Sequence, residues 1–427
     1  MKKFLQIFKL KDLRSKLIAV ALLLAATRLL AHIPIPGIDV ERLQAFFQQN
    51  QFFGLLDIFS GGGLSNVSIA MIGLSPYITA SIVIQLLTIL IPKLQEMQKE
   101  GGEAGRTKLN QYTRYLTVPL AALQAFGTVL LFTRGGGGAA PVISVLSPFD
   151  WFVTILSVTA GSMVLMWIGE WITDYHIGNG ISLIIFAGIV ARLPEFLLQG
   201  LATYDPSNLP TIIGFAVVGL LVVAGVVVIT EAQRNIPVSY AKRVRGNKLY
   251  GGVSTHLPLR INTAGVIPII FAISVMLFPG IIANFFIHAN SVAVANAAQY
   301  VVDLFNNRIF YDVVYFLLVV VFTYFYTSVI FNPVEVAENI QRQGGFIPGL
   351  RPGSQTAEFL YKVLNRITLA GAIFLGIIAV MPFLFQSATQ SANLTFGGTS
   401  LLIVVAVVIE TVKQIESQLI VRDYEGF

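Results

Sequence analysis

Ten apolar stretches fill this chain of 427 residues almost from end to end. Each is close to the roughly 20 residues that a helix, rising about 1.5 Å per residue, needs to cross the hydrocarbon core of a bilayer. Because backbone N–H and C=O groups in lipid must bond within the protein, the stretches are predicted to be helices and not open strands. They comprise residues 17–36, 67–91, 115–133, 151–172, 181–199, 209–230, 263–286, 309–331, 367–386 and 398–416.

The overall composition supports a membrane protein. Hydrophobic residues make up 55% of the chain and charged residues only 12%. The alternative interpretation, buried core helices of a large soluble protein, accounts poorly for ten stretches of spanning length. The chain is therefore predicted to be one all-α polytopic unit.

The distribution of positive charge predicts how the spans are oriented. With the N-terminus placed inside and alternate loops counted, 23 of the 28 Lys and Arg residues fall on the inside. Cytoplasmic loops of membrane proteins carry this excess. Both termini are therefore expected in the cytoplasm. Residues 1–16 are interpreted as a cytoplasmic amphipathic segment and not as a cleaved signal peptide.

Two of the inside segments are unusually long. Residues 231–262 and 332–366 each exceed 30 residues and mix Gly, Pro and cationic residues with aromatic ones. Loops much longer than about 12–15 residues are usually functional or disordered. We expect both to be docking surfaces. On the outside, the connection at residues 200–208 divides the spans into five and five, as in many transport folds.

A short apolar segment lies between the first two spans. Residues 52–59 are too few to cross a bilayer, and Gly61, Gly62 and Gly63 follow, which permit a sharp reversal of the chain. The segment is either an interfacial helix or a re-entrant piece buried in protein. The residues alone favour neither alternative.

Sequence motifs of enzymes, nucleotide sites and metal sites are absent. The chain has no G-x-x-x-x-G-K-[ST], H-E-x-x-H or G-x-S-x-G motif and no cysteine, and its four histidines are scattered. We therefore expect no catalytic residue, no metal and no cofactor, and a driving force supplied by a partner.

Two other membrane functions are less consistent with the sequence. A secondary transporter of small solutes would place ionisable residues deep in its spans, whereas here they lie near span ends, apart from the deeper Arg28. An intramembrane enzyme such as a protease would need a nucleophile and base, or two carboxylates, facing each other within spans. Neither arrangement is evident.

Five motifs in order, and the tail, carry a family resemblance. The motifs are IPIPGID at 33–39, IGNGISLIIFAGI at 177–189, THLPLRINTAGVIPIIFA at 255–272, RPGSQTAEFL at 351–360 and FGGTSLLIVV at 396–405, with YEGF at 424–427. Together they closely resemble the SecY family, the channel subunits of the bacterial protein translocase. The resemblance extends over essentially the whole chain.

The resemblance implies an architecture of two pseudo-symmetric five-helix halves around a central hourglass pore. The halves would be residues 17–199 and 209–416, joined by an external hinge at 200–208 and followed by a cytoplasmic tail at 417–427. Residues 52–66 match the family's plug, a short re-entrant helix. The plug residues are Phe53, Leu55, Leu56, Ile58, Phe59, Gly61, Gly62, Gly63 and Leu64.

The resemblance also implies a pore ring and a lateral gate. The ring residues are Leu74, Ile78, Ile185, Ile270 and Ile403, which the sequence alone would describe only as aliphatic residues of apolar helices. An aliphatic constriction holds back ions by dewetting, without any charge. The gate, between the second and seventh spans, would use Thr79, Gln85, Asn262 and Pro268. Pro76 and Pro268 are expected to interrupt those two spans.

Partners follow from the same resemblance. The two long loops match docking sites for the motor ATPase SecA and for the ribosome, through Lys242, Arg243, Arg245, Lys248, Arg351 and Tyr424. Small membrane subunits resembling SecE and SecG are expected as well. The implied function is to move unfolded secretory polypeptides across the cytoplasmic membrane and to release transmembrane segments sideways, with signal peptides opening the gate.

Overall fold

The computed structural model describes residues 10–35, 63–64, 66–99, 102–134, 147–202, 209–240, 243–245, 248–250, 254–287, 291–389 and 398–425. These residues pack as two compact units. The first contains Met1–Tyr204, Ser274–Asn307 and Val407–Phe427, and the second contains Asp205–Ile273 and Arg308–Ala406.

Helices dominate both units. In chain order they are α1 Lys11–Leu30, α2 Ser75–Leu90, α3 Pro92–Lys99, α4 Gly102–Arg134, α5 Pro148–Asp174, α6 Gly180–Ala202, α7 Leu209–Glu231, α8 Ile267–Phe286, α9 Val292–Asn306, α10 Arg308–Ile330, α11 Pro333–Arg342, α12 Ser354–Thr389 and α13 Gly398–Glu425. All ten predicted stretches overlap a helix. The second begins later than expected, at Ser75, because residues 66–74 form successive turns. The short helix α9 was not predicted.

Three helical segments of the described chain are, by length and composition, able to cross a membrane by themselves. They are Pro148–Asp174, Arg308–Arg342 and Ser354–Met381. A fourth span results if α2 and the following helix α3 are taken together, although the chain bends by 107° between them. The multi-pass character is clear, and the number ten stays a prediction.

Helix α5 begins with a complete capping box. The Ser147 hydroxyl accepts a hydrogen bond from the backbone N–H of Asp150, and the Asp150 carboxylate accepts one from the backbone N–H of Ser147, both at 3.2 Å. Pro148 occupies the first turn, where its missing N–H costs nothing. Two otherwise unpaired donors are thus satisfied at the start of an apolar helix.

The IGNGIS motif forms the tight turn between α5 and α6. The Asn179 side-chain oxygen accepts hydrogen bonds from the backbone N–H groups of Ile181 (3.1 Å) and Ser182 (3.2 Å) and so caps α6. A Cβ at Gly180 would lie 1.8 Å from the carbonyl oxygen of Gly169, so only glycine fits there. The motif therefore serves the close packing of these two helices.

A small antiparallel sheet lies in the second unit and was not predicted. It consists of β1 Gln233–Tyr240, β4 Ser254–Arg260 and β5 Gly345–Phe346 in the order β4-β1-β5. Between β1 and β4, strands β2 Arg243–Arg245 and β3 Lys248–Tyr250 form a separate two-stranded hairpin. The strands lie outside the apolar stretches, so the all-α class holds for the spans.

The expected role of two prolines is wrong. Pro76 is the second residue of α2, and Pro268 is the second residue of α8. The first N–H groups of a helix have no partner within that helix, so proline is tolerated at these positions and begins the helix without breaking it. Prolines in the interior of helices include Pro119, Pro194 and Pro279.

The irregular segment at residues 66–74, here named the stem, is held between α4 and α5. It shares a hydrophobic cluster with both helices, whose members include Val67, Met71, Ile72, Val129, Phe132 and Val158. Close approach depends on Gly161 of α5, since a Cβ there would lie 2.1 Å from the carbonyl oxygen of Ile69. The contact is with backbone, which cannot move away as a flexible side chain would.

We predict that Gly161→Ala destabilises the protein by about 1–3 kcal/mol, the usual cost of overpacking, and lowers the thermal unfolding midpoint in detergent. Gly214→Ala in α7 is the matched control, because no described atom lies within 4 Å of a Cβ built there. That control is expected to be neutral or to stabilise by up to about 1 kcal/mol. Equal effects of the two substitutions would contradict the packing argument.

Candidate functional site

The stem is anchored to the end of α1 by backbone hydrogen bonds. The Ile35 N–H donates to the carbonyl of Val67 (3.0 Å), and the Ile69 N–H donates to the carbonyl of Ile33 (3.1 Å). Pro34 and Ser68 form the antiparallel bridge between these bonds. The first residues of the IPIPGID motif thus serve as a short strand that holds the stem.

Ser68 closes the stem on itself. Its hydroxyl is completely buried, donates to the carbonyl of Gly63 (3.1 Å) and accepts from the backbone N–H of Ala70 (3.2 Å). The Ser68 N–H also bonds the Gly63 carbonyl, at 2.9 Å. One buried side chain therefore ties the last predicted plug glycine to the segment that leads into α2.

Only the end of the predicted plug lies within the described residues. Leu64 is buried in the cluster that contains the stem, and Gly63 lies against Ala70. The other predicted plug residues fall outside the described chain: Phe53, Leu55, Leu56, Ile58, Phe59, Gly61 and Gly62. The plug therefore stays a prediction, with its attachment point described.

The five predicted ring residues are all buried. None is more than 7% exposed: Leu74, Ile78, Ile185, Ile270 and Ile403. The first three belong to the first unit and the last two to the second. Leu74 is the residue at which the stem ends and α2 begins, so the anchoring of the stem also positions the ring residues on α2.

The start of α8 is held by aromatic contacts with α10. Phe271 packs edge-to-face on Phe322 and Tyr326, with ring centroids 6.0 and 5.9 Å apart. Such pairs contribute about 0.5–1.5 kcal/mol beyond the area that they bury. Phe271 follows Ile270, so these contacts determine where that ring residue sits within the second unit.

The predicted gate residues differ in their surroundings. Thr79 and Asn262 are buried, and within the described chain neither the Thr79 hydroxyl nor the Asn262 side-chain carbonyl has a hydrogen-bond partner. Gln85 donates only to Ser81 of its own helix, at 3.3 Å. Asn262 precedes α8, in the segment between β4 and that helix. Pro268 lies in the first turn of α8.

The two long loops come together in one subdomain of the second unit. Strand β1, from the first loop, pairs with β5, from the second, in the register Ser239 to Phe346 and Tyr240 to Gly345. A hydrophobic cluster joins them, with Ile236, Val238, Leu259, Ala337, Ile340, Ile347, Leu360 and Val363 buried. We name this part of the chain the docking subdomain.

Arg351 lies at the apex of a tight turn in the docking subdomain. Gly349 and Gly353 flank it with φ of 84° and 100°, a backbone conformation that favours glycine. The Thr356 hydroxyl donates to the Arg351 carbonyl at 3.0 Å and so fastens the turn to α12. The Arg351 side chain is exposed.

The other predicted docking residues belong to the β2–β3 hairpin and to the end of the chain. Arg243, Arg245 and Lys248 lie on the hairpin of β2 and β3, where Arg245 pairs in register with Lys248. Lys242 lies outside the described residues, and Tyr424 is in the last turn of α13.

Sequence reasoning missed the stem, Gly161 and Ser68. The only signal for the stem was its position between a glycine run and an apolar helix.

Known proteins resemble this sequence over almost its whole length. A family model described as SecY matches residues 68–412. The protein translocase subunit SecY of Streptomyces galbus is 46% identical over 439 residues, which cover 99% of this chain and 99% of that protein.

Two solved structures share the fold. One, described as a protein-conducting channel, has a TM-score of 0.65 at 19% identity and covers 94% of this chain and 91% of that chain. The other, Sec61 in the canine ribosome–channel complex from the endoplasmic reticulum, has a TM-score of 0.61 at 17% identity with the same coverage. With the family model matched over residues 68–412 and a relative 46% identical over 99% of the chain, the chain belongs to the SecY family of protein translocase channel subunits.

Proposed function

We propose that this chain forms the route by which unfolded secretory polypeptides cross the cytoplasmic membrane, with both termini in the cytoplasm. As a member of the SecY family it is a multi-pass membrane channel subunit and not an enzyme. The observation that carries the finer proposal is the burial of five aliphatic side chains at the ring positions. The positive charge of the predicted inside loops supports the orientation.

The chemistry of the proposed ring suits a generic polypeptide. Aliphatic side chains offer no hydrogen bond that would retain one sequence in preference to another. They also shift between rotamers at little cost, and a dry constriction resists ions without a charge of its own. A solute transporter would need a specific polar site, for which the ring residues provide no groups.

We predict that cysteines introduced at the ring form disulfides with a polypeptide arrested during transport. The chain has no cysteine of its own, so Ile78→Cys and Ile270→Cys each report a single position. Controls are Leu123→Cys and Leu220→Cys, on side chains that are 60% and 71% exposed. Crosslinks are expected at the ring positions and not at the controls. Transport without any crosslink at either ring position would sink the ring assignment.

The anchored stem supports the proposed plug. A re-entrant segment that opens needs a hinge next to a fixed support. Gly61–Gly63 would supply the hinge. The stem lies on the C-terminal side of this hinge. It is bonded to residues 33–35 and packed on α5, and so supplies the support.

We predict that Ser68→Ala raises the ion conductance of the idle channel in planar bilayers. The substitution removes two buried hydrogen bonds and leaves a buried N–H without its partner, at a cost of about 1–3 kcal/mol. Ser328→Ala is the control, since that exposed hydroxyl bonds only within α10. A conductance equal to that of the unchanged protein would remove the stem from the sealing mechanism.

The polar groups on α2 and before α8 support the proposed lateral gate. The buried side-chain oxygens of Thr79 and Asn262 have no hydrogen-bond partner within the described chain, so each can gain one when a signal peptide enters the gate. Hydrogen bonds between membrane helices contribute only about 0.6 kcal/mol on average. A hydrogen bond of this size to Thr79 or Asn262 would add only slightly to the new apolar contacts that a signal peptide offers on opening the gate.

The docking subdomain is the proposed surface for the partners that supply the force. The related Sec61 channel has been seen in a ribosome–channel complex, and basic residues on the β2–β3 hairpin would bind ribosomal RNA through its phosphates. The exposed Arg351 on its rigid turn is proposed to contact the motor ATPase SecA. Small subunits resembling SecE and SecG complete the proposed assembly.

We predict that Arg351→Ala weakens binding of SecA or of ribosomes to reconstituted vesicles by roughly tenfold or more, as expected for a contact arginine, without lowering the unfolding temperature. Arg342→Ala in the same subdomain is the control. Its exposed i,i+4 ion pair with Glu338 contributes only about 0.3–0.5 kcal/mol. Unchanged binding of both partners by the Arg351 variant would contradict its role.

A further inference from the structure

A water-accessible cavity of about 450 Å³ lies in the first unit, and its lining contains none of the predicted ring, gate or docking residues, although Tyr77 next to Ile78 contributes to it. Its walls come mainly from α4, α5 and the turn into α6. The side chains that matter chemically are Asn110, Arg114, Trp167, Glu170, Trp171 and Asp174. The volume is within the usual range for small-ligand pockets, about 300–1,000 Å³.

The composition of α4 and α5 places this cavity at the edge of the membrane. Residues 102–114 of α4 are mostly polar, and its apolar part begins at Tyr115. Between Asp150 and Glu170 helix α5 carries no charged residue, and it ends at Asp174. The Trp167 and Trp171 side chains are 50% and 59% exposed. Tryptophan is enriched at the level of lipid headgroups, where its ring meets both lipid and water.

The charges of the cavity are mixed and only partly paired. The Arg114 Nε donates to Glu170 at 2.8 Å, with the two side chains 45% and 19% exposed. Within the described chain this is the only hydrogen bond of the Arg114 guanidinium, so its terminal nitrogens still have donors to offer. The Asp174 carboxylate forms no ion pair with a described residue. With one arginine and two carboxylates, the lining has a net negative charge.

These features favour one ligand chemistry. A phosphate group fits the remaining donors of Arg114, because guanidinium binds phosphate with two parallel hydrogen bonds. A primary ammonium group fits Asp174, and the net negative charge of the lining disfavours a ligand that is only anionic. The exposed tryptophan faces provide apolar surface for the start of the acyl chains.

We propose that this cavity binds the headgroup of a zwitterionic phospholipid with a primary ammonium group, as in phosphatidylethanolamine. The phosphate lies on Arg114, the ammonium lies on Asp174 and the glycerol region lies on Trp167 and Trp171. Such a site gives the first unit a preferred lipid next to α5, the helix against which the stem packs.

The test uses quenching of tryptophan fluorescence by brominated lipid. In the Trp151→Phe background only Trp167 and Trp171 remain of the three tryptophans. The full chain is reconstituted in phosphatidylcholine vesicles in which the same fraction of lipid is brominated phosphatidylethanolamine, phosphatidylglycerol or phosphatidylcholine. We expect an apparent association constant for phosphatidylethanolamine about fivefold above the other two, as one exposed ion pair supplies.

Matched variants separate the site from general lipid contact. Asp174→Asn removes the carboxylate with little change of shape and is expected to abolish the preference. Glu103→Gln is expected to keep it, because Glu103 lies in α4 roughly three turns before Arg114. Circular dichroism checks that both variants are folded. Equal quenching by the three lipids, or a preference for phosphatidylglycerol or phosphatidylcholine, overturns the proposal. A preference that disappears when the small subunits are reconstituted with the chain also overturns it, because the cavity is then a subunit contact.

Discussion

Backbone that is not helical but lies between apolar helices must still find hydrogen-bond partners, and much of this structure depends on that constraint. A polar backbone group left unpaired away from water costs free energy comparable to a lost hydrogen bond. The stem meets this constraint in three ways: it bridges to residues 33–35, it turns on itself through the Ser68 hydroxyl, and it buries its apolar side chains against α4 and α5. Irregular backbone can therefore lie between membrane helices at this point. The predicted ring residues at the start of α2 lie directly at the end of the stem.

The docking subdomain solves a different problem, that of keeping two long loops in one arrangement outside the lipid. Each loop contributes apolar side chains to a common core. Pairing of β1 with β5 and a shared cluster between the sheet, α11 and α12 provide that core. The turn that carries Arg351 is fastened to the first turn of α12 by the hydrogen bond from the Thr356 hydroxyl.

Charge is distributed in the way that passage of a generic chain requires. The five ring positions carry only aliphatic side chains, whereas the ion pair of Arg114 with Glu170 lies where α4 and α5 change from polar to apolar. A charged group costs several kcal/mol at the centre of a bilayer and little at its edge. The predicted ring positions are thus neutral, and the ion pair lies where its cost is low.

The parts of the candidate site were expected from the sequence for two different reasons. The apolar stretches follow from composition and length, and the docking loops from their excess length and positive charge. The assignment of Ile78 or Ile270 to a ring rested on the family resemblance alone, because an aliphatic residue in an apolar helix carries no local signal of facing a pore. Pro76 and Pro268 were misread, since a proline that begins a helix and one that kinks it look the same until the start of the helix is known.

The sequence by itself determined that this chain is a helical membrane protein and which family it resembles, and it predicts on which side of the membrane the basic loops lie. These properties are sums over many residues and do not depend on which residues meet. The tertiary structure decided the anchoring of the stem by residues 33–35, the sheet that unites two loops about 100 residues apart, and the need for glycine at positions 161 and 180. Those features depend on atoms from distant parts of the chain approaching within a few ångströms, which no local pattern records.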